Sequence, residues 1–239
     1  MDQPKTYDFE AGEVLLIDKP LTWTSFDVVN KLRYALKVKK IGHAGTLDPL
    51  ATGLLILCTG KFTKRIEEIQ NADKEYTGRI FLGATTPSFD SETEHDQIFD
   101  IIHLTPELIH ETAKKFIGEQ QQIPPLYSAV HINGKRAYTL ARKGIEAEIP
   151  PRTVTISEFE ITKIELPEVH FRVAVSKGTY IRSLARDFGK ALGAGGYLTE
   201  LVRTRIGNYY LHDAVSLENM LTIAKDYRAQ KEQQQQQQQ

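Results

Sequence analysis

The sequence contains little of what would point to an extracellular, membrane-bound or metal-dependent protein. It has one cysteine, Cys58, in 239 residues, which excludes an internal disulfide and a cysteine-based metal site. No apolar run approaches the roughly 20 residues that a membrane-spanning helix requires. The N-terminal segment MDQPKTYDFE is polar and carries acids, unlike a signal or transit peptide. These absences predict a globular protein of the cytoplasm.

The chain also lacks the excess of positive charge that is typical of nucleic-acid-binding proteins, since its net charge is −1. Positive charge is nevertheless clustered. Lysines lie in the segment KVKK at 37–40, and Lys61, Lys64 and Arg65 follow 20 residues later, on the other side of a glycine-rich loop. Such runs form either a solvated face or a site for a phosphate backbone.

The loop between these runs, GHAGTLDPLATG, leads into the apolar segment Leu54–Cys58, which predicts a buried strand. One carboxylate lies in the loop, Asp48, and Pro49 restricts it to extended conformations. We therefore expect Asp48 to be held rigidly where the strand begins. An Asx-turn, in which the side chain bonds its own backbone, and a catalytic carboxylate both remain open from spacing alone.

The same loop resembles the catalytic motif of the bacterial tRNA pseudouridine synthases of the TruB family, G-H-x-G-T-L-D-P-x-A-x-G-x-L, at every fixed position. The resemblance extends from about residue 15 to about residue 211. Two positions depart from the family: Thr22 stands where glycine is frequent, and His131 stands where lysine is usual. The other matching segments are LLIDKPLTWTSFDVVNKLR, YTGRIFLG, TTPSFDSE, QIPPLYSAVHINGKRAY, SKGTYIRSLARDFG and TELVRTRIG.

The resemblance implies an α+β protein with the pseudouridine synthase fold, in which a central, largely antiparallel mixed sheet is flanked by helices. A catalytic domain would span residues 1–228, with an RNA-pinching loop at 122–144 and no added C-terminal RNA-binding (PUA) domain. Residues 83–100 are polar and turn-rich, which predicts a mobile loop. Composition predicts a disordered tail at 229–239, because its run of glutamines cannot build a core.

The function implied is isomerisation of uridine 55 in the T loop of tRNA to pseudouridine, with base flipping and without metal or cofactor. Asp48 would be the nucleophile, Tyr76 would stack on the flipped base and assist proton transfer, and Arg182 would keep Asp48 ionised. Asp90 would hold Arg182 from the far side. A T stem-loop is the expected partner of a monomeric enzyme. The residues expected to bind substrate are His43, Tyr180, Leu201, Lys19, Asp90, Lys135 and Arg136.

Each assignment has a simpler alternative. Tyr76 could be a half-buried strand aromatic, His43 a loop hydrogen-bonder, and Arg182 an ordinary surface residue. A non-catalytic chaperone that refolds tRNA would need the basic loop but not Asp48. An aspartate-dependent phosphatase is disfavoured, because no further acids for Mg²⁺ lie beside Asp48.

Overall fold

The computed structural model describes residues 7–126, 131–132, 135–136 and 149–237, the two short central ranges through their backbone only. It divides into two compact units, the described parts of Met1–Ala72 with Val202–Gln239, and Asp73–Leu201. The boundary falls inside one strand, Gly196–Ile206, which therefore supplies residues to both units. None of the helices in the described part of the chain is both long and apolar enough to cross a bilayer.

The first unit contains a mixed sheet and three α-helices. The strand Val215–Ser216 pairs in parallel with Val14–Lys19, which pairs antiparallel with Ala51–Thr59. The elements of this unit, in chain order, are β1 (Val14–Lys19), α1 (Ser25–Leu36), β2 (Ile41–His43), β3 (Ala51–Thr59), a 3-10 helix (Gly60–Arg65), α2 (Ile66–Asn71), the second half of Gly196–Ile206 (β12), β13 (Tyr209–Tyr210), a 3-10 helix (Leu211–Asp213), β14 (Val215–Ser216) and α5 (Leu217–Gln237).

Strand β3 lies at the centre of this unit and is buried on both faces. Leu55 and Leu57 pack against α1 and α5, whereas Leu54, Ile56 and Cys58 pack on the other side with Ile206 and Ala44. Burial on both faces explains the continuous apolar run read from the sequence. Each fully buried Leu or Ile contributes about 1.5–3 kcal/mol, so the strand that follows the Asp48 loop is a firm support.

Helix α1 begins where the sequence predicts. Thr24 is its N-cap and accepts a hydrogen bond from the Asp27 backbone, while the Asp27 side chain accepts from the Thr24 backbone, forming a capping box. Lys37 ends the helix in the left-handed conformation. The buried face carries Val28, Val29 and Leu32.

The second unit contains an antiparallel sheet with two helices. Strand Arg152–Glu165 pairs with Gly118–Gln122 on one side and with Glu168–Val175 on the other, and the latter pairs with Lys74–Leu82. Its elements, in chain order, are β4 (Lys74–Leu82), β5 (Ala84–Thr85), β6 (Gln97–Ile98), α3 (Pro106–Lys114), β7 (Gly118–Gln122), β8 (His131–Ile132), β9 (Lys135–Arg136), β10 (Arg152–Glu165), β11 (Glu168–Val175), α4 (Ile181–Ala191) and the first half of β12.

Four phenylalanines build the core between the sheet and helices of this unit. Phe159 lies edge-on to Phe116, Phe171 and Phe188, with ring centroids 5.3–6.2 Å apart, a geometry that adds to the energy of burial. Helix α3 starts at Pro106 after the Thr105 cap, as predicted. The predicted fold class, a mixed, largely antiparallel sheet flanked by helices, is confirmed.

Three expectations need revision or fall outside the structure. Residues 83–100 are not the polar, turn-rich mobile loop expected: Thr86, Ser88 and Asp90 in this segment are buried. Instead of a disordered tail from 229, α5 continues to Gln237, because adding a residue with good helix propensity to an existing helix is easy. The loop expected to pinch RNA, 122–144, lies mostly outside the described residues.

Candidate active site

In the first unit, Asp48 lies in the loop between β2 and β3, half-buried. The chain turns directly after it, and the Ala51 N–H donates to the Asp48 carbonyl at 3.0 Å. Gly45 and Gly53 have φ of +91° and +94°. A Cβ at Gly53 would lie 2.5 Å from the Arg203 carbonyl oxygen, so only glycine fits where the loop enters β3.

The segment around α1 grips the loop on both sides of Asp48. The buried Ser25 hydroxyl donates to the Leu47 carbonyl at 3.1 Å and accepts from the Leu47 N–H at 2.8 Å. The Thr22 N–H donates to the Pro49 carbonyl at 2.8 Å. The residues before and after Asp48 are thus both fixed through their backbone atoms, which limits the directions that the carboxylate can take.

Thr22 adopts φ +70°, the left-handed conformation that glycine would take without strain. The departure from the family sequence therefore does not change the direction of the turn. A β-branched residue in this region is a genuine outlier, at a cost of about 1–3 kcal/mol.

Arg203 supports the loop from beneath and was not identified from the sequence. It is 1% exposed, and its guanidinium donates to the carbonyls of Leu54 at 2.8 Å, Gly45 at 3.1 Å and Thr46 at 3.4 Å. One rigid fork therefore joins the loop to the start of β3. A signal was available: Arg203 lies two residues after the apolar Leu201 in a predicted strand, and so on the same face.

Lys19 is buried at the end of β1, and its ammonium donates to the carbonyls of Trp23 at 2.6 Å and Pro20 at 2.9 Å. Burial lowers the pKa of Lys19 from 10.5 to about 8. The charge of Asp48 opposes this fall, whereas that of Arg203 adds to it. Lys19 thus acts on the turn and on the electrostatics of Asp48, and its ammonium is not directed at solvent.

His43 is the half-buried last residue of β2. Burial lowers its pKa below the usual 6.5, and the charge of Arg203 contributes to the effect. The imidazole is therefore neutral at pH 7, which suits stacking on a base better than pairing with a phosphate.

In the second unit, the predicted pairing of Arg182 with Asp90 is present. Arg182 Nη1 lies 3.6 Å from Asp90 Oδ2, and both side chains are 7% exposed. The Arg182 guanidinium also donates to the Ser88 carbonyl at 3.3 Å. Arg182 is therefore not a surface residue, and removing Asp90 would leave a buried charge without this carboxylate.

The segment that carries Asp90 is held by its own side chains. The Ser88 hydroxyl donates to Asp90 Oδ1 at 2.6 Å, and the Glu92 N–H donates to the same oxygen at 3.0 Å. The Thr86 hydroxyl donates to the Asp90 carbonyl at 2.7 Å. These bonds fix the carboxylate before it meets Arg182, which is the physical reason why this polar stretch is buried.

The remaining predicted residues of the second unit lie on its strands and at the start of α4. Tyr76 is 8% exposed on β4, opposite Val173, and Leu201 is 9% exposed on β12. The Tyr180 N–H donates to the Gln122 side chain at 2.8 Å, and the same amide donates to the Tyr180 carbonyl at 3.1 Å. The side chains of Lys135 and Arg136 lie outside the described residues.

Positive charge in the first unit gathers around one cavity of about 680 Å³. Phe9 and Val38 form part of its wall. The lysines that line it come from both runs noted in the sequence: Lys37, Lys39, Lys40, Lys61 and Lys64. Within the parts of the chain described above, no three His, Cys, Asp or Glu side chains are grouped as metal ligands would be.

Two matches that together cover most of the chain define its class. Residues 33–181 match the TruB family pseudouridylate synthase (N terminal domain), and residues 182–238 match the tRNA pseudouridylate synthase B C-terminal domain. The chain therefore belongs to the TruB family of pseudouridylate synthases. The second match includes most of the glutamine-rich end.

Named relatives agree with this class. A Flavobacterium johnsoniae protein called tRNA pseudouridine synthase B is 58% identical over 217 residues, covering 88% of this chain and 95% of that protein. Proteins of the same name from Phocaeicola vulgatus and Chlorobaculum tepidum are 55% and 53% identical, covering 89% and 87% of this chain and 93% and 89% of those proteins.

A solved structure titled as a Cbf5-Nop10-Gar1 complex contains a chain with the same fold. Its TM-score to this chain is 0.71 at 32% identity over 90% of this chain. This chain spans 54% of the length of that one. The predicted pseudouridine synthase fold is thereby confirmed.

Proposed function

We infer that this chain isomerises uridine to pseudouridine in tRNA, and we propose that its target is uridine 55 in the T loop, with Asp48 as the nucleophile. The observation that carries the proposal is the set of backbone contacts around Asp48. Ser25 holds Leu47, Thr22 holds Pro49 and Arg203 holds Gly45 and Thr46. A loop anchored this fully at one carboxylate suits a group that must meet a reacting atom in a fixed direction.

The reaction breaks the bond between ribose C1′ and uracil N1, turns the base, joins C5 to C1′ and finally removes the proton from C5. Electrons balance without an oxidant or reductant. Asp48 supplies the nucleophile near the sugar and C6. Tyr76 stacks on the flipped base and assists proton transfer, and Leu201 lines the base pocket.

Arg182 is proposed as the catalytic cation, with Asp90 as the residue that positions it. The support is their ion pair of 3.6 Å in a buried setting, where a guanidinium keeps a fixed orientation. Tyr180 is proposed to contact substrate, since Gln122 fixes its backbone just before α4.

RNA binding is proposed to use the lysine-lined cavity of the first unit together with Lys135 and Arg136. Five ammonium groups around one concave surface favour a phosphate backbone over a neutral partner. His43, neutral at pH 7, fills space in the RNA by stacking. A T stem-loop, bound by a monomeric enzyme in the cytoplasm, is the substrate that follows.

The test is Asp48→Asn, which preserves shape and removes the nucleophile. The purified variant is incubated with an unmodified tRNA transcript, and pseudouridine is mapped by chemical modification. We expect the product to fall to background while RNA affinity stays within about two-fold, because most of the affinity comes from phosphate contacts. Asp226→Asn, an exposed position on α5, is the matched control and should retain full activity.

The same experiment separates the alternative of a non-catalytic RNA chaperone. A chaperone would refold tRNA equally well with either variant and would form no pseudouridine at all. Turnover by Asp48→Asn would reject the nucleophile assignment. Product at a different uridine would reject the proposed target.

A further inference from the structure

The strained residue Thr22 lines an open groove on α1 whose chemistry the catalytic residues do not use. The groove has a volume of about 420 Å³ and is here called the α1 groove. The residues that line it are Thr22, Trp23, Asp27, Asn30, Lys31 and Tyr34.

The backbone contact of Thr22 does not require its side chain. The Thr22 N–H bonds the Pro49 carbonyl, and a glycine would make the same bond without the strain of φ +70°. The side chain is exposed in the wall of the groove. Strain that persists beside a catalytic loop motivates a search for a function of the strained side chain.

The groove offers three kinds of recognition along one helix face. Trp23 and Tyr34 supply aromatic surface, and Tyr34 is 79% exposed. Asn30 supplies an amide and Lys31 an ammonium. Asp27 is engaged in the capping box through bonds from the Thr24 backbone and hydroxyl. Unstacked RNA bases are bound in this way, by stacking and by hydrogen bonds to their edges, with a cation at the phosphate.

We propose that the α1 groove binds an unstacked nucleotide of the RNA substrate that neighbours the flipped uridine, with the Thr22 hydroxyl as one of its hydrogen-bonding groups. The proposal rests on the proposed function, since it assumes an RNA loop held at Asp48. The contact between Thr22 and Pro49 is the reason for choosing a neighbouring nucleotide, because it joins the groove to the residue after Asp48.

Trp23 makes the groove observable, because it is the only tryptophan in the chain. The Asp48→Asn variant is titrated with a T stem-loop RNA while Trp23 emission and the anisotropy of the labelled RNA are recorded. We expect saturable quenching with the same Kd as the anisotropy change. A stem-loop with abasic sites beside the target uridine should bind without that quenching. RNA that binds while Trp23 emission stays constant would overturn the proposal.

Kinetics on otherwise wild-type protein give a second readout. Thr22→Gly should raise the melting temperature, because strain is removed, and should raise KM by about 2- to 10-fold, the scale of one hydrogen bond, with kcat unchanged. Thr22→Ser should restore KM. Tyr34→Ala should also raise KM, whereas Tyr210→Ala, an exposed tyrosine elsewhere in the same unit, should not.

The outcomes are separable. A Thr22→Gly variant that is more stable with unchanged KM would mean that the strain has no role in binding and would overturn the proposal. Quenching by a protein extract without RNA would assign the groove to a protein partner and reject the nucleotide. Failure of the wild-type protein to form pseudouridine would reject the proposed function instead, whatever Trp23 reports.

Discussion

Arg203 illustrates at the scale of one residue how a buried charge can organise a loop. Its guanidinium reaches three carbonyls from a position that is 1% exposed. Arg203→Lys keeps the charge but cannot span these acceptors. We expect a loss of about 2–4 kcal/mol in unfolding free energy, since buried carbonyls lose their donors at about 1–3 kcal/mol each.

Loss of this contact should also lower kcat by at least about 10-fold, because misplacing a catalytic group by about 1 Å can cost more than this. The measurements are urea unfolding and single-turnover pseudouridine formation. Arg205→Lys, on the same strand with its guanidinium on the Gly207 carbonyl, is the matched control. A destabilised Arg203→Lys variant with a normal single-turnover rate would limit Arg203 to a role in stability.

Lys19 gives a prediction about pH. Its pKa is about 8 in the folded protein and 10.5 in the unfolded chain. Between these values the unfolded chain binds the proton and the folded protein does not, so the contribution of Lys19 to stability rises with pH across that window. Below pH 8 the buried ammonium opposes folding at its full extent.

The check is urea unfolding of wild type and Lys19→Met at pH 7.5 and at pH 9.5. Other groups that titrate in this range affect both proteins, and they cancel in the comparison. The stability of wild type relative to Lys19→Met should be greater at pH 9.5. An equal difference at the two pH values would mean that the pKa of Lys19 is not lowered.

At the scale of elements, the last helix makes a prediction about its end. Lys231 lies 2.6 Å from Glu10 and above the ring of Tyr227, which contacts Phe9 edge-on. The glutamines beyond it are exposed. Deleting residues 233–239 should leave activity unchanged and the melting temperature within about 1 °C, because almost no surface is buried there.

Truncation after residue 226 is the contrasting variant. It removes Tyr227 and its contact with Phe9, and we expect the melting temperature to fall by several degrees, at about 2–4 °C per kcal/mol for a chain of this size. Differential scanning calorimetry distinguishes the two variants. A large loss from the shorter deletion would show that the glutamine run packs against the protein.

Elements with one clear period were predictable from sequence, and elements with an interruption were not. The capping box at Thr24 and the proline start of α3 are local signals that the structure repeats. Strand β10 escaped notice because a bulge between Ile156 and Glu158 shifts its alternation: Val154 and Ile156 are buried before it, Phe159 and Ile161 after it. Such a shift conceals the two-residue period.

The candidate site divides in the same way. Asp48 could be named because its neighbours are glycine and proline, and Arg182 because its motif is contiguous. The partners of the loop could not, since Arg203 reaches Gly45 across 158 positions of the chain. The left-handed Thr22 was also hidden, because a threonine gives no local sign of positive φ.

At the scale of the whole molecule, the question is how much of a tRNA the enzyme reads. The lysine-lined cavity and the segment 122–144 can hold one RNA hairpin by its phosphates and loop bases. We expect an isolated T-arm stem-loop to be modified with a kcat/KM within about three-fold of that for whole tRNA. A stem-loop that is inert while whole tRNA reacts would place essential contacts outside the T arm.

Charge-removing variants test which lysines provide that contact. Lys61→Ala with Lys64→Ala, and Lys135→Ala with Arg136→Ala, should each raise KM and reduce the slope of log KM against log salt by about 2, one per lost phosphate contact at most. The rate at saturation should change little. Lys163→Ala, an exposed lysine paired with Glu165 in the second unit, should leave the slope unchanged.

The anchors of the Asp48 loop contact backbone atoms only, and this separates the position of the carboxylate from the identity of the loop side chains. Thr46 is exposed, and its carbonyl is what Arg203 binds. A cysteine placed there would be accessible, whereas the native Cys58 is buried, so a photoreactive group could be attached beside Asp48 without moving it. The loop can in this sense be relabelled, or can drift over generations, while the geometry of its one carboxylate is inherited from Thr22, Ser25 and Arg203.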